Sequence, residues 1–265
     1  MIYLELELTT KCSLKCPYCC AETSARTDKY NAHQKLKMFI KAVSSVTKTR
    51  EIGVRLMGGE PTLYPLINEL VAYLNHNKNV VNVDLYTNGL HKLPRGVYNI
   101  FTTLHLDYYA QFEKRIDALA DNGNPVIVNV IIPKYSDFNK SKDLARIISK
   151  LPKRFYVHPQ PLYKVSDNQS ELKKYERLFN TKRDYFDELV GYRERLNLFF
   201  SNRPIICHPT NFRISEDLIL RNDCDHVAGE VNLMECFDVS MVKDTQRLCT
   251  TKDCYMDNCV YCGML

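Results

Sequence analysis

Short apolar segments alternate with amphipathic stretches along the first 160 residues, and this alternation limits the fold more than any other feature of the sequence. Six segments have the length and apolar content of strands: residues 2–9, 52–57, 80–86, 100–106, 125–132 and 154–158. The stretches between them carry apolar residues at helical spacing, for example Leu36, Phe39, Ile40, Val43 and Val46. Six strand–helix units in series favour an α/β fold in which helices cover a parallel sheet, either open or curved into a partial barrel.

Three further helices and a change of pattern complete the predicted organisation. The helices cover residues 63–74, 110–121 and 137–151, and Pro65 suits the first turn of the earliest of these. Residues 170–199 are charged and rich in tyrosine, which indicates one or two helices that leave the sheet. The runs 212–214 and 218–220 indicate a hairpin. We therefore divide the chain into a core of residues 1–165, a helical connector of residues 166–204 and a cysteine-rich part of residues 205–265.

Charge and hydropathy exclude several classes of protein. The formal charge of +5 is small and evenly spread, so it does not favour nucleic acid as a partner. The N-terminus has charged residues at alternate positions, unlike a signal peptide. Apolar runs fall short of the roughly 20 residues that a membrane helix needs. We expect a cytoplasmic protein with no membrane partner.

The eleven cysteines lie in two groups at opposite ends of the chain. Their number is odd, and the chain has no secretion signal, so metal binding or redox chemistry is favoured over disulfides. The first group comprises Cys12, Cys16, Cys19 and Cys20, and the second comprises Cys207, Cys224, Cys236, Cys249, Cys254, Cys259 and Cys262. Two metal regions that flank a cysteine-free body are the simplest interpretation.

Cys12, Cys16 and Cys19 occupy the loop that follows the first predicted strand. In parallel α/β folds, functional sites lie at the carboxyl ends of the strands. Three thiolates can hold three corners of an iron–sulfur cube and leave the fourth iron open to a substrate or cofactor. A zinc loop is the alternative, but zinc favours four ligands and Cys20, directly after Cys19, is poorly spaced to be the fourth.

A second motif, Gly58-Gly59-Glu60-Pro61, follows the second predicted strand and therefore lies on the same rim of the sheet. Paired glycines allow a close approach by backbone, and a carboxylate beside them can accept hydrogen bonds from an ammonium group. Alone this segment indicates a turn. One strand–helix unit after a three-cysteine loop, it indicates a binding site.

Together, Cys12-x3-Cys16-Pro17-Tyr18-Cys19 and Gly58-Gly59-Glu60-Pro61 resemble the radical S-adenosylmethionine (SAM) enzymes over about residues 3–160. The resemblance implies a partial (β/α)6 TIM-like barrel with a small C-terminal cysteine-rich iron–sulfur extension. It implies that the three cysteines hold a [4Fe–4S] cluster whose open iron is chelated by the amino and carboxylate groups of SAM. It places Tyr18 near the adenine and the glycine-rich segment at the methionyl amino group.

Weaker matches extend the resemblance along the later strands. Thr87 and Asn88, in Thr87-Asn88-Gly89, resemble a segment that supports the cofactor, and His105 and Asn129 occupy positions whose polar side chains contact it. A hairpin turn, a core histidine and a hydrogen-bonded strand residue are the alternatives for these positions. Candidate substrate contacts are Asp107, His158 and Gln160.

The family chemistry implied is reductive cleavage of SAM to methionine and a 5′-deoxyadenosyl radical, which abstracts hydrogen from an unactivated carbon. The implied substrate is a ribosomally synthesised peptide or a small metabolite. Because the chain begins at its first strand, the N-terminal recognition domain of many peptide-modifying relatives is not expected, which weakens the peptide hypothesis. A flavodoxin or ferredoxin is the implied electron donor.

The second cysteine group resembles the SPASM or twitch extension of this family, which implies at least one auxiliary [4Fe–4S] cluster. Its candidate ligands are Cys207, Cys224, Cys236, Cys249, Cys254, Cys259 and Cys262. The match is incomplete: the glycine usual before the second cysteine is missing, and the last four cysteines have an unusual spacing. Zinc held by those four cysteines is the alternative.

Two other functions compete with this interpretation. A radical SAM enzyme that modifies RNA or a nucleoside receives slight support from the basic segment 140–154, which a solvated helix face explains better. The second is a non-catalytic zinc-binding module. The Gly58–Pro61 motif argues against that module, since a zinc scaffold has no use for Glu60 beside a glycine pair.

Overall fold

The computed structural model describes residues 2–16, 19, 27–105, 107–132, 138–161, 205–207, 211–222, 230–240, 242 and 247–249. The first six strands are β1 (Ile2–Glu7), β2 (Ile52–Met57), β3 (Val80–Thr87), β4 (Asn99–Leu104), β5 (Val126–Ile132) and β6 (Tyr156–Pro161). The helices are α1 (Ala32–Thr47), α2 (Ile67–His76), α3 (Tyr109–Glu113), α4 (Ile116–Asp121) and α5 (Phe138–Lys150). The later strands are β7 (Ile205–Cys207), β8 (Asn211–Ile214), β9 (Ile219–Asn222), β10 (Glu230–Asn232) and β11 (Arg247–Cys249).

Strands β1 to β6 are parallel and neighbour one another in chain order, which confirms the predicted α/β fold. They are six consecutive strands of an open nine-stranded sheet with the order β10-β9-β8-β1-β2-β3-β4-β5-β6. Five of the six strands lie within two residues of their predicted bounds, because buried parallel strands are nearly continuous apolar runs, and β6 ends three residues later than predicted. Of the helices in the described residues, none is long and apolar enough to cross a membrane.

Helices cover the apolar face of the sheet. Alternate strand residues point to this face, and Leu4, Val54, Leu85, Ile100 and Val128 are buried there. The same core includes residues from the helices and strands of both halves of the sheet: Phe39, Val43, Leu70, Leu74, Phe112, Leu119, Leu144, Ile147 and Phe212. Burial of such side chains, at about 1.5–3 kcal/mol each, holds the helices to the strands.

Two helices differ from their predicted bounds. The helix expected over residues 110–121 is divided into α3 and α4 at Arg115, whose N–H donates to the carbonyl of Phe112. The Arg115 guanidinium also donates to the carbonyl of His91 at 2.8 Å, which draws this turn towards the end of β3. Helix α2 begins at Ile67 because Pro61–Leu63 form a separate 3-10 turn. The helices expected over residues 170–199 lie outside the described residues.

The predicted hairpin is confirmed as β8 and β9, which pair in antiparallel fashion. The sequence did not indicate that β8 would also pair with β1, parallel to it and on the side opposite β2. Strand β10 then pairs with β9, so three strands of the cysteine-rich part extend the main sheet. Strands β7 and β11 form a separate two-stranded sheet. The domain boundaries at residues 165 and 204 stay a prediction.

A row of charged and polar side chains crosses the other face of the sheet. Glu5 is central to this row: its carboxylate accepts hydrogen bonds from Arg55 at 3.0 Å and from Arg213 at 3.1 and 3.2 Å. Arg213 also donates to Glu7 at 3.3 Å. Residues in register across seven strands make up the row: Glu230, Arg221, Arg213, Glu5, Arg55, Asp84 and Asn99. Ion pairs as well as backbone pairing thus attach the hairpin of β8 and β9 to the core.

Replacing Arg213 with Met should lower the free energy of unfolding by about 1–3 kcal/mol, because Glu5, only 3% exposed, loses charged donors. The matched control is Arg221→Met, since Arg221 is 40% exposed and lies 3.6 Å from the exposed Glu230. That variant should change the free energy by less than about 1 kcal/mol. Urea denaturation of both variants tests the difference. Equal losses would contradict a structural role for the Arg213 contacts.

Candidate functional site

The three-cysteine loop follows β1 at the carboxyl edge of the sheet, as predicted. Cys12 and Cys16 are half-buried, and Cys19 is exposed. The Cys19 N–H donates to the carbonyl of Cys16 at 3.1 Å, which closes a turn between the second and third cysteines. Tyr18, the predicted neighbour of the adenine, lies outside the described residues. The described part of the loop therefore presents three thiols in sequence at the end of one strand.

The glycine pair packs against the start of this loop. Gly59 donates from its N–H to the carbonyl of Thr9, and Glu60 donates to that of Lys11, both at 2.7 Å. A Cβ on Gly59 would lie 2.4 Å from the Lys11 carbonyl oxygen, and one on Gly58 would lie 2.6 Å from that of Thr9. Gly58 also has a φ of 141°, which favours glycine. The close approach that the glycines allow is thus to the backbone of the cysteine loop.

Glu60 links the ends of β2 and β3. Its side chain is fully buried and accepts hydrogen bonds from the hydroxyls of Thr62 at 2.6 Å and Thr87 at 2.7 Å. Its second oxygen accepts from the N–H of Asn88 at 2.7 Å. Three residues predicted separately as cofactor contacts, Glu60, Thr87 and Asn88, therefore form one hydrogen-bonded group. Pro61, also predicted, is buried in the first turn after it.

Side chains from the ends of β3 and β4 hold the far side of the loop. Ser13 lies 2.8 Å from Nε2 of His91, and the N–H of Lys15 donates to the Tyr108 hydroxyl at 3.0 Å. His105 lies with Nδ1 3.4 Å from the sulfur of Cys16. These contacts cross from the first strand to the third and fourth. They fix the cysteine loop over the carboxyl ends of β3 and β4.

Asp28 ties the end of the loop back to its beginning. It accepts hydrogen bonds from the N–H of Thr10 at 2.8 Å and the hydroxyl of Thr9 at 2.7 Å. The buried ammonium of Lys35 donates to Asp28 at 3.0 Å and to the carbonyl of Leu8 at 3.2 Å. Partial burial alone raises the pKa of Asp28, but these hydrogen bonds and the Lys35 charge outweigh it and hold the pKa below its usual value.

Sequence reasoning missed the residues that support the loop, namely Asp28, Lys35, His91 and Tyr108. One signal was present for Lys35, which lies four residues before Phe39 on the apolar face of α1. A lysine on a buried helix face needs a buried partner, since an unpaired charge is costly there. No such pattern marks Asp28, His91 or Tyr108, because they belong to loops.

Burial acts on the titratable groups around the thiols. It raises the pKa of Cys12, an effect partly offset by the Leu14 N–H, which donates to the Cys12 sulfur at 3.4 Å. It lowers the pKa of His105 to about 4, so this imidazole is neutral at neutral pH. Cys12 also lies close enough to Glu60 and Cys19 for their charges to act on it.

The donor set of the loop fits an iron–sulfur cluster. Cysteine thiolates are its usual ligands, and the Leu14 N–H directed at Cys12 is the kind of hydrogen bond that such sulfurs accept. Within the described ranges, no three Cys, His, Asp or Glu side chains form a group that could hold a metal ion. A four-iron cluster is larger than one ion, so its ligands need not converge on one point.

The remaining predicted residues lie along the same rim. Asn129 is half-buried on β5, in register with Thr103 of β4 and His158 of β6. Asp107 is exposed just after β4. His158 and Gln160 lie on β6, opposite Asn129 and Ile131 of β5.

Three of the auxiliary-cluster candidates lie within the described residues. Cys207 of β7 is opposite Arg247, and Cys249 of β11 is opposite Ile205, so both lie on neighbouring strands of one small sheet. Cys236 is exposed in the segment 230–240. The others fall outside the described residues: Cys224, Cys254, Cys259 and Cys262.

Comparison with known proteins gives one family and several relatives. The profile of the Radical SAM superfamily matches residues 6–150. GTP 3′,8-cyclase of Pelotomaculum thermopropionicum is 26% identical over 188 residues, which are 63% of this chain and 57% of that protein. Human molybdenum cofactor biosynthesis protein 1 is 26% identical over 209 residues, 71% of this chain and 33% of that protein. The chain thus spans about a third to just over half the length of these relatives.

Solved structures share the fold. SuiB of Streptococcus suis bound to S-adenosylmethionine has a TM-score of 0.54 at 15% identity, over 91% of this chain and 64% of that one. SuiB bound to its precursor peptide SuiA gives 0.54 at 14% identity, over 91% and 65%. The protein anSMEcpe with bound AdoMet gives 0.56 at 16% identity, over 91% and 81%. At these identities the similarity establishes the architecture alone.

Replacing Gly59 with Ala should displace the cysteine loop, because the new Cβ would lie 2.4 Å from the Lys11 carbonyl oxygen. Such overpacking costs about 1–3 kcal/mol of unfolding free energy. We expect faster alkylation of Cys12 in the metal-free variant, measured by mass spectrometry. The control is Gly123→Ala, whose Cβ meets no atom within 4 Å and which should leave Cys12 alkylation unchanged despite backbone strain. An unchanged rate of Cys12 alkylation in the Gly59 variant would contradict the packing of the glycine pair against the cysteine loop.

Proposed function

The chain belongs to the radical SAM superfamily, and on this basis we propose that it is an enzyme that cleaves SAM reductively and abstracts hydrogen from a peptide or a small metabolite. The observation that carries the proposal is the loop of Cys12, Cys16 and Cys19, clasped by Gly58 to Glu60 at the carboxyl edge of the sheet. When bound there, a [4Fe–4S] cluster supplies the electron that splits SAM into methionine and a 5′-deoxyadenosyl radical.

The three cysteines are the proposed cluster ligands, and the surrounding rim is the proposed SAM site. Glu60 already accepts hydrogen bonds at both oxygens and is fully buried. We therefore expect it to support SAM by fixing the positions of Thr87 and Asn88. His105 and Asn129 remain proposed SAM contacts, and Asp107, His158 and Gln160 remain proposed substrate contacts.

One stacked pair of aromatic rings lies between this rim and the charged row below it. The rings of Tyr86 and Phe101 stack with centroids 4.6 Å apart. On β3, Tyr86 lies between Asp84 and Asn88, and on β4, Phe101 lies between Asn99 and Thr103. We propose that these two rings reduce the access of water to the space below the rim. Exclusion of water protects a reactive radical from side reactions.

We also propose at least one auxiliary iron–sulfur cluster in the cysteine-rich part. The pairing of β7 with β11 supports this proposal, because it puts Cys207 and Cys249 on neighbouring strands although they are far apart in sequence. Metal analysis of an anaerobically purified variant in which Cys12, Cys16 and Cys19 are replaced by Ala discriminates between iron and the alternative, zinc, because the first cluster cannot form in it.

The proposed substrate is a peptide or a small metabolite, with an electron donor of the flavodoxin or ferredoxin type. A nucleotide substrate is a second candidate. It is supported by two relatives named as GTP 3′,8-cyclases, one from Pelotomaculum thermopropionicum and one from Arabidopsis thaliana. The peptide alternative is supported by the shared architecture with SuiB, which binds its precursor peptide SuiA.

Reduced wild-type protein, reconstituted anaerobically, should form 5′-deoxyadenosine from SAM, and Cys16→Ala should form none because a cluster ligand is missing. The matched control is Cys20→Ala, which removes a thiol of the same loop that we do not assign as a ligand. Chromatographic quantification of 5′-deoxyadenosine checks both. Equal product from the wild type and the Cys16 variant would refute the proposal.

The same assay discriminates between the substrate classes. Substrate binding in a closed site should stimulate SAM cleavage, so GTP and a pool of synthetic peptides are added separately. Stimulation by GTP alone favours the nucleotide, and stimulation by peptide alone favours peptide modification.

Glu60→Ala should retain the cluster and weaken SAM binding, since Thr87 and Asn88 lose the acceptor that fixes them. Loss of two charge-assisted hydrogen bonds predicts about a tenfold or greater rise in the dissociation constant. Equilibrium binding of SAM and iron content are the measurements. Glu69→Ala, which alters an exposed carboxylate on α2, is the control and should bind SAM normally. An unaltered SAM affinity in the Glu60 variant counts against this role.

A further inference from the structure

A histidine at the end of β4 contacts one of the proposed cluster ligands. Nδ1 of His105 lies 3.4 Å from Sγ of Cys16, across 89 residues of sequence. Contacts at Ser13 and Lys15, from His91 and Tyr108, hold the part of the loop between the first two cysteines, Cys12 and Cys16. The position of Cys16 relative to His105 is therefore set by several independent hydrogen bonds.

The chemistry of the two groups determines which of them donates the hydrogen bond. A ligating Cys16 is a thiolate, which has no proton to donate and can only accept. The His105 imidazole carries a proton on at least one ring nitrogen, and Nδ1 is the nitrogen that lies next to the sulfur. At 3.4 Å the contact is favourable only when the proton is on Nδ1 and directed at the sulfur.

We infer that His105 is a positioning residue that donates a hydrogen bond from Nδ1 to the Cys16 sulfur and thereby raises the reduction potential of the cluster. This inference rests on the proposed function. Reduction adds negative charge to the cluster and its sulfur ligands, and an N–H directed at a ligand sulfur stabilises the reduced form more than the oxidised form. His105 would therefore ease the entry of the electron on which SAM cleavage depends.

The proposed hydrogen-bond donor to Cys16 differs in one respect from the donor to Cys12. The Cys12 sulfur accepts from the backbone N–H of Leu14, which no substitution at residue 14 other than proline removes. The donor at Cys16 belongs to a side chain and can be exchanged. Sequence change at residue 105 can thus adjust the potential without altering the loop.

The test uses the full chain, reconstituted anaerobically, with three variants of His105. Asn places an amide N–H close to the position of Nδ1 and retains the donor. Gln places its amide near the position of Nε2, and Ala has no donor. The midpoint potential is measured by redox titration with electron paramagnetic resonance, and the signal that Cys16→Ala lacks identifies the cluster concerned.

We expect the potential to become more negative in His105→Gln and His105→Ala and to stay near that of the wild type in His105→Asn. His91→Ala, which removes a loop contact to Ser13, a residue that is not a ligand, measures general disturbance of the loop and should shift the potential less than His105→Ala does. Iron content equal to that of the wild type shows that each variant has assembled its cluster.

Two results would overturn the inference. One is an unchanged potential in His105→Gln and His105→Ala, whatever the SAM affinity of these variants. The other is an equal shift in His91→Ala, which would attribute the effect to general disturbance of the loop. A wild-type protein that assembles no cluster at the N-terminal cysteines overturns the proposed function itself, and the inference with it.

Discussion

The site depends on the backbone contact between the end of β2 and the loop that follows β1. Two hydrogen bonds, from Gly59 to Thr9 and from Glu60 to Lys11, continue the pairing of these strands beyond the regular sheet. Only residues without a side chain fit at Gly58 and Gly59, because a Cβ would overlap the loop carbonyls. A backbone clasp has few internal degrees of freedom. It can therefore hold a loop in a defined place before any ligand binds.

The two faces of the sheet are stabilised by different kinds of interaction. The helix-covered face is apolar and belongs to the hydrophobic core, while the other face carries a charged row in which Glu5 is held between Arg55 and Arg213. Arg213 comes from the cysteine-rich part of the chain, so β8 joins that part to the core at the strand that precedes the proposed cluster loop. A structural change in the cysteine-rich part would therefore displace β1 through its pairing with β8.

The sequence predicted the strands and the motif residues well, and the supporting residues poorly. Strand β2 and the hairpin of β8 and β9 follow from local apolar patterning, which is a property of neighbouring residues. The division of the helix at Arg115 depends on the carbonyl of His91, which lies 24 residues earlier in the sequence. Asp28 is equally unmarked, since its partners Thr9 and Thr10 lie 19 and 18 residues earlier, at the start of the same loop. Contacts between distant loops leave no periodic pattern.

The sequence by itself determined the α/β fold, the three-cysteine loop and the family to which the chain belongs, because these are encoded in local spacing and residue type. Tertiary structure alone decided that Glu60 joins Thr87 and Asn88, that β8 pairs with β1, and that His105 faces Cys16. Each of these contacts links residues at least 27 positions apart. Which of many polar side chains meet at such a distance is fixed only when the sheet brings the carboxyl ends of its strands together.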